Sequence, residues 1–292
     1  MTTLTVTDLH KSYRLRSGAR FSTLDAVKGV DAVKGVDLEL SPGRTVALVG
    51  QSGSGKSTIA KILAQLERPT SGTITLDGAP IGTRGRALAR YRDQVQMVFQ
   101  DPFASLNPFH SIGHHIERPL LLHGRATRAN VREKVCELLE RVNLTPAETF
   151  IDRSPHELSG GQRQRVAIAR ALAPGPTVLI ADEPVSMLDV SVRLGVLNLL
   201  ARLQREENLA MLYITHDLAT ARHFSDEILV MYRGEVVERG PADEVILNPQ
   251  AEFTKQLLIA APEPGNNPRF LAEARRRGVP MPDHLALAEE NT

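Results

Sequence analysis

Residues 50–58 read "GQSGSGKST", and no other stretch limits the possible folds as tightly. The pattern G-x-x-x-x-G-K-[ST] works where a buried strand hands over to a helix, because successive backbone N–H groups must wrap a phosphate while the helix N-terminus points at it. Both flanks fit. "TVALVG" at 45–50 is a short apolar run preceded by "SPG", and helical spacing follows from Lys56 to about Leu66. Gly50, Ser52, Gly53, Ser54 and Gly55 are small enough to let backbone approach a phosphate closely. Lys56 then brings a cation to the β- and γ-phosphates, Ser57 offers a hydroxyl to Mg²⁺, and Thr58 continues the helix start.

The rest of the chain alternates in a way that suits this loop. "TITLDG" after "RPTSG", "QVQMVFQ" at 94–100, "TVLIAD" at 177–182, "AMLYIT" at 210–215 and "EILVMY" at 227–232 have strand character. "SVRLGVLNLLARLQREEN" is helical and lies between two of them. Strand–helix alternation points to a parallel α/β sheet with its sites at the strands' carboxyl ends. Residues 101–172 differ: rich in Pro, His and Arg, they read as an inserted lobe of helices and loops. Within it Val131, Val135, Leu138, Leu139 and Val142 recur at helical spacing, which makes Cys136 a small core residue. Residues 4–9 and 33–40 alternate like strands across a loose polar stretch. "DAVKGV" occurs there twice in tandem, at 25–30 and 31–36. The second copy runs into "DLEL", so Val36, Leu38 and Leu40 share one face, while the first copy reads as extra loop.

Composition excludes several classes. Lys plus Arg number 35 against 34 Asp plus Glu, a net charge of +1, which gives no electrostatic reason to expect nucleic acid. The run "ARRRG" reads as a solvated tail. Cys136 is the only cysteine, so an intramolecular disulfide and an all-cysteine metal site are impossible. The start "MTTLTVTDLHKSYRL" has no charged head and apolar core of a secretion signal. No apolar run approaches the ~20 residues that span a bilayer, so at a membrane other chains must supply the spans.

"VLIADEP" at 178–184 supplies a strand ending in two carboxylates. Asp182 is placed to hold the Mg²⁺ shell, and Glu183, pointing differently, to polarise a water at the γ-phosphate. His216 in "LYITHDL" ends another strand and is a γ-phosphate contact candidate. His110, His114, His115 and His123 lack a companion carboxylate pattern and read as surface or packing residues. One motif is left over. "SPHELSGGQRQRVAIARAL" at 154–172 starts a second helix on paired glycines, an additional anion-seeking N-terminus in a chain that already has one.

In order, "GQSGSGKST", Gln100 ending a strand, "LSGGQ", "VLIADEP", "SMLD" and His216 resemble the ATP-binding cassette subunits of ABC transporters over about residues 4–245. The resemblance implies an α/β fold: a P-loop (RecA-like) core with a mostly parallel sheet, an N-terminal antiparallel β subdomain, an inserted helical lobe and a C-terminal extension. It divides the chain into a cassette, 1–247, and an extension, 248–292. It also gives the leftover motif a use. In this family two cassettes stack head to tail, so Ser159, Gly160, Gly161 and Gln162 would complete the partner's ATP site, with Asp189 along the interface. Met187 stands where the family more often has alanine. Gln100 would sense the γ-phosphate and Mg²⁺ and transmit movement to the helical lobe. Tyr13 is the candidate for stacking on adenine, with a core tyrosine as the alternative.

"VQMVFQDPFASLNP", "SMLDVSVRLGVLNLL" and "NPQAEFTKQLLIAAP" look like the oligopeptide/dipeptide/nickel importer ATPases. That branch implies ATP and Mg²⁺ as cofactors and a second cassette subunit, identical or paralogous. It also implies two membrane permease subunits, an extracytoplasmic substrate-binding protein, and a place on the cytoplasmic face of the cell membrane. With one cysteine no iron–sulfur cluster is expected in the extension. Phe103, Leu106 and Phe109 are expected to line a groove for a permease helix. Oligosaccharide or nickel import stays open, as does a soluble ABC ATPase acting on ribosomes or DNA. A P-loop kinase would leave "LSGGQ" without a purpose.

Overall fold

Runs such as "TVALV" and "VLIAD" have no polar face, so they are stable only when covered on both sides. The computed structural model, which describes residues 2–14 and 29–260, covers them in that way. Its strands are β1 Leu4–Arg14, β2 Gly29–Leu40, β3 Thr45–Val49, β4 Ser71–Leu76, β5 Ala79–Pro80, β6 Val95–Val98, β7 Val178–Asp182, β8 Ala210–Thr215, β9 Glu227–Tyr232 and β10 Glu235–Pro241. The helices are α1 Lys56–Leu63, α2 Gly85–Gln94, α3 Pro102–Ser105, α4 Ile112–Leu122, α5 Val131–Arg141, α6 Glu148–Ile151, α7 Gly160–Leu172, α8 Val190–Glu206, α9 Leu218–Phe224, α10 Ala242–Leu247 and α11 Glu252–Ala260.

Six strands form the main sheet in the order β10-β9-β3-β8-β7-β6, parallel from β9 to β6, with β10 antiparallel at one edge. A second, antiparallel sheet has the order β2-β1-β4-β5. Period-two alternation sorts the main sheet's side chains between two cores. Val46 and Leu48 of β3, with Ile180 and Leu212, pack on α1 and the antiparallel sheet through Ile59, Leu38 and Leu40. Ala47 and Val49, with Leu179 and Tyr213, face the opposite way toward Val166, Leu200 and the helical lobe. That lobe is α3 to α7; among the described residues, 101–176 contain no strand. Val131, Val135, Leu138, Leu139 and Val142 are all buried there, and Cys136 packs half-buried against them.

Three boundaries differ from the sequence reading. The phosphate-loop helix ends at Leu63, and Gln65 turns left-handed with φ 55°. β1 runs on to Arg14, and β2 starts at Gly29, so the second "DAVKGV" copy lies wholly in strand; residues 15–28 fall outside the described residues. Val33 and Val36 are both buried although three residues apart. Simple alternation forbids this. The β1–β2 register shifts between Leu9 and Lys11, and Gly35 takes φ 63°, a bulge that returns both valines to one face. Val36, Leu38 and Leu40 share the buried face as expected.

Candidate active site

β3 lies between β8 and β9, and the loop leaving it is held on both flanks. Lys34 N donates to Gly234 O at 2.8 Å, and Gly234 N donates to Ser54 O at 3.0 Å, so β2 and the β9–β10 turn brace the loop together. Gly55 takes φ 108°, and a Cβ there would sit 2.1 Å from Ala32 O; at Gly50 it would sit 2.2 Å from Met231 O. Neither position admits a side chain. Ala32, Met231 and Gly234 support the loop without any local motif to announce them, because the first two arrive from distant strands and the third from the β9–β10 turn. Ser52 and Gly53 are exposed, whereas the buried Ser54 hydroxyl has no hydrogen-bond partner among the described residues.

α1 begins at Lys56, whose ammonium is buried and donates to Gly50 O at 2.6 Å and Gln51 O at 2.9 Å. Burial lowers its pKa, opposed by the charges of Glu183 and Asp182. Ser57 Oγ donates to Asp182 Oδ1 at 3.2 Å. Asp182, at the end of β7, is itself buried, which raises its pKa against the Ser57 hydrogen bond. Two hard oxygen donors side by side at the foot of a phosphate loop suit Mg²⁺.

Glu183 is the most constrained residue of the group. Its φ is 44°, a costly value for a side-chain-bearing residue, and its amide donates to Ile214 O at 2.9 Å, which fixes it to the end of β8. The carboxylate is only 13% exposed. Gln100 Nε2 donates to Glu183 Oε2 at 2.9 Å, and His216 Nδ1 lies 3.4 Å from the same oxygen. Three residues from three strand ends therefore meet at one carboxylate oxygen.

The second glycine motif sits elsewhere. Ser159 caps α7, its Oγ accepting from Gln162 N at 3.3 Å while Gln162 Oε1 accepts from Ser159 N at 3.0 Å. The atoms nearest a Cβ on Gly160 or Gly161 belong to Leu188 and Val192, not to the phosphate loop. Asp189 precedes α8 in the same group, and Met187 is half exposed. Tyr13 is not in the core. It is 36% exposed on β1, and its phenol hydrogen-bonds to Glu67. One histidine reading is corrected: His123 has a carboxylate companion, Asp93, delivered by α2 from outside the lobe. Distance along the chain hid the pairing. His110 and His114 stack at 4.1 Å.

Among the described residues no helix is long and apolar enough to cross a membrane. The family description "ABC transporter" matches residues 33–186. The di/tripeptide transport ATP-binding protein DppF of Pseudomonas aeruginosa is 44% identical over 264 residues, covering 89% of this chain and 79% of that protein. The oligopeptide transport ATP-binding protein OppF of Salmonella typhimurium is also 44% identical, over 268 residues, covering 89% and 78%. Among solved structures, the ATP-binding cassette MJ0796, a dimer in a post-hydrolysis state bound to ADP and Pi, superposes with a TM-score of 0.70 at 31% identity. It covers 82% of this chain and 98% of that one. A phosphate loop, a carboxylate pair and a separate signature helix, on a fold and sequence shared with these proteins, place this chain in the ATP-binding cassette family of ABC transporters.

Proposed function

We propose that this chain is the ATPase subunit of an importer for di- or oligopeptides, working as one of a head-to-tail pair of cassettes with Mg²⁺. The observation that carries the catalytic part is the Gln100–Glu183–His216 group beside Lys56 and Asp182. Gly50 to Thr58 would hold the phosphates, with Lys56 leaving the Gly50 and Gln51 carbonyls for them and the Ser54 hydroxyl gaining a partner. Mg²⁺ held by Ser57, Asp182 and Gln100 would neutralise charge on the phosphate oxygens. Glu183 accepts the proton of the attacking water as its oxygen bonds to the γ-phosphorus and the bond to ADP breaks. Gln100 and His216 orient that carboxylate and reach the γ-phosphate.

Ser159, Gly160, Gly161, Gln162 and Asp189 act on the ATP of the second cassette, which fits their neighbours in this chain being Leu188 and Val192. Residues 1–247 form the cassette and 248–292 the extension. The peptide cargo is supported by the likeness to the di/tripeptide and oligopeptide transport proteins DppF and OppF. Two permease subunits and an extracytoplasmic binding protein complete the transporter, with this chain at the cytoplasmic membrane face. A cavity of about 710 Å³ lined by Phe99, Gln100 and Leu122 is the opening we assign to a permease helix. Phe103 and Phe109 are 50% and 92% exposed and available to such a helix, whereas Leu106 faces the lobe core.

The test is Glu183→Gln, which keeps shape and hydrogen bonding. ATP binding should persist while hydrolysis falls roughly 10²- to 10⁴-fold, and an ATP-dependent dimer should accumulate on a sizing column. Turnover near the wild-type rate would remove Glu183 from its role.

A further inference from the structure

Tyr13 is held from two directions by residues that no nucleotide-binding motif contains. Its phenol hydrogen-bonds to the carboxylate of Glu67, which lies past the end of α1. The Lys11 ammonium stands 4.9 Å from the ring centroid and also donates to Arg68 O at 2.8 Å, tying the same strand to the same loop. Thr58, in the first turn of α1, is near enough to influence the phenol. The ring is thus fixed beside the phosphate loop, one face taken by a cation and part of it open to solvent.

We propose that Glu67 is a positioning residue for nucleotide binding: it locks the Tyr13 ring in the orientation on which a purine base stacks. Lys11 covers one face, so the base takes the other. The proposal rests on reading Tyr13 as the base platform. Its physical content is pre-organisation, since an aromatic side chain already immobilised loses no rotamer freedom when the base arrives. Releasing it should weaken binding roughly two- to tenfold.

The experiment measures calorimetric Kd values, with Mg²⁺, for ATP and for inorganic tripolyphosphate, which has the charges but no base. Glu67→Ala and Tyr13→Phe should each raise the Kd for ATP by roughly two- to tenfold. The double variant should be no worse than either single one, and tripolyphosphate binding should not move. Glu67→Gln, which keeps an acceptor for the phenol, should restore ATP binding. If Tyr13→Ala leaves the ATP affinity untouched, the platform reading itself fails. If Tyr13→Ala weakens ATP but Glu67→Ala does not, Tyr13 is the platform and Glu67 has no positioning role. Equal losses for ATP and tripolyphosphate in Glu67→Ala would also overturn the proposal, by showing a general disturbance of the loop.

Discussion

Asp182 ends β7 with almost no contact with solvent, and burial raises its pKa above the usual carboxylate value, with Ser57 pulling the other way. The folded protein therefore holds a proton on Asp182 more tightly than the unfolded chain does. This contribution to stability is present at low pH and is lost as pH rises through the raised folded value. Once ionised the carboxylate is a net cost to the fold, which its proposed role as a Mg²⁺ ligand would account for. Asp182→Asn, which can still accept from Ser57, should therefore melt no lower than wild type, and by up to about 2–4 °C higher. Lys56 keeps its two carbonyl partners and the nearby charge of Glu183 in that variant. The extra stabilisation by Mg²⁺ with ATP should disappear. A scan in which Asp182→Asn melts far below wild type without nucleotide would show that the buried charge stabilises the fold instead.

At the scale of elements, β2 shows what the tandem repeat can lose. The two "DAVKGV" copies are identical, so deleting either gives the same chain, with Ala still in place over Gly55 and the Gly35 bulge kept. Removing Asp25 to Val30 puts Thr23 and Leu24 in the first two places of β2 and shortens the chain between β1 and β2. The melting temperature and ATP affinity should change little, since connection length is cheap at ~0.6 kcal/mol per doubling. Removing Ala32 to Val36 instead brings Asp31 into the buried place of Val36 opposite Leu9, an unpaired charge in the core, and should cost at least about 3 kcal/mol. Equal melts for the two deletions would refute the register. The contrast marks what the sequence can tell. β3, β7, β8 and β9 are legible because their apolar runs have a single stable environment, and Lys56, Asp182, Glu183 and His216 follow them at strand ends. α2 and β10 are not, as their outward faces are polar and their packing comes from distant partners. The support of Gly50 by Met231 and of Gly55 by Ala32 is backbone contact, which leaves no mark on side-chain pattern.

For the whole molecule, one chain holds a phosphate loop and a signature helix whose nearest neighbours do not overlap. Two copies related by a two-fold axis would each lend one motif to the other. Under the proposed composite site, Lys56→Ala would damage the loop of its own chain, and Ser159→Arg what that chain offers the partner. Mixing two such inactive variants should restore hydrolysis to about a quarter of the wild-type rate, because half the dimers then hold one intact composite site. Phosphate release from the mixture measures it. A mixture no more active than either variant alone would mean that every site is complete within one chain, or that the partner is a different protein.

The Lys56 ammonium also sets an entry threshold. Two backbone carbonyls, at 2.6 and 2.9 Å, already satisfy two of its three protons. An anion competing for that cation must replace both contacts and the charge of the nearby carboxylates. Free inorganic phosphate offers one compact group, whereas a triphosphate spreads its oxygens along the whole loop and adds the metal. The same arrangement that gives the lysine two backbone partners would therefore work as a filter against small free anions such as inorganic phosphate.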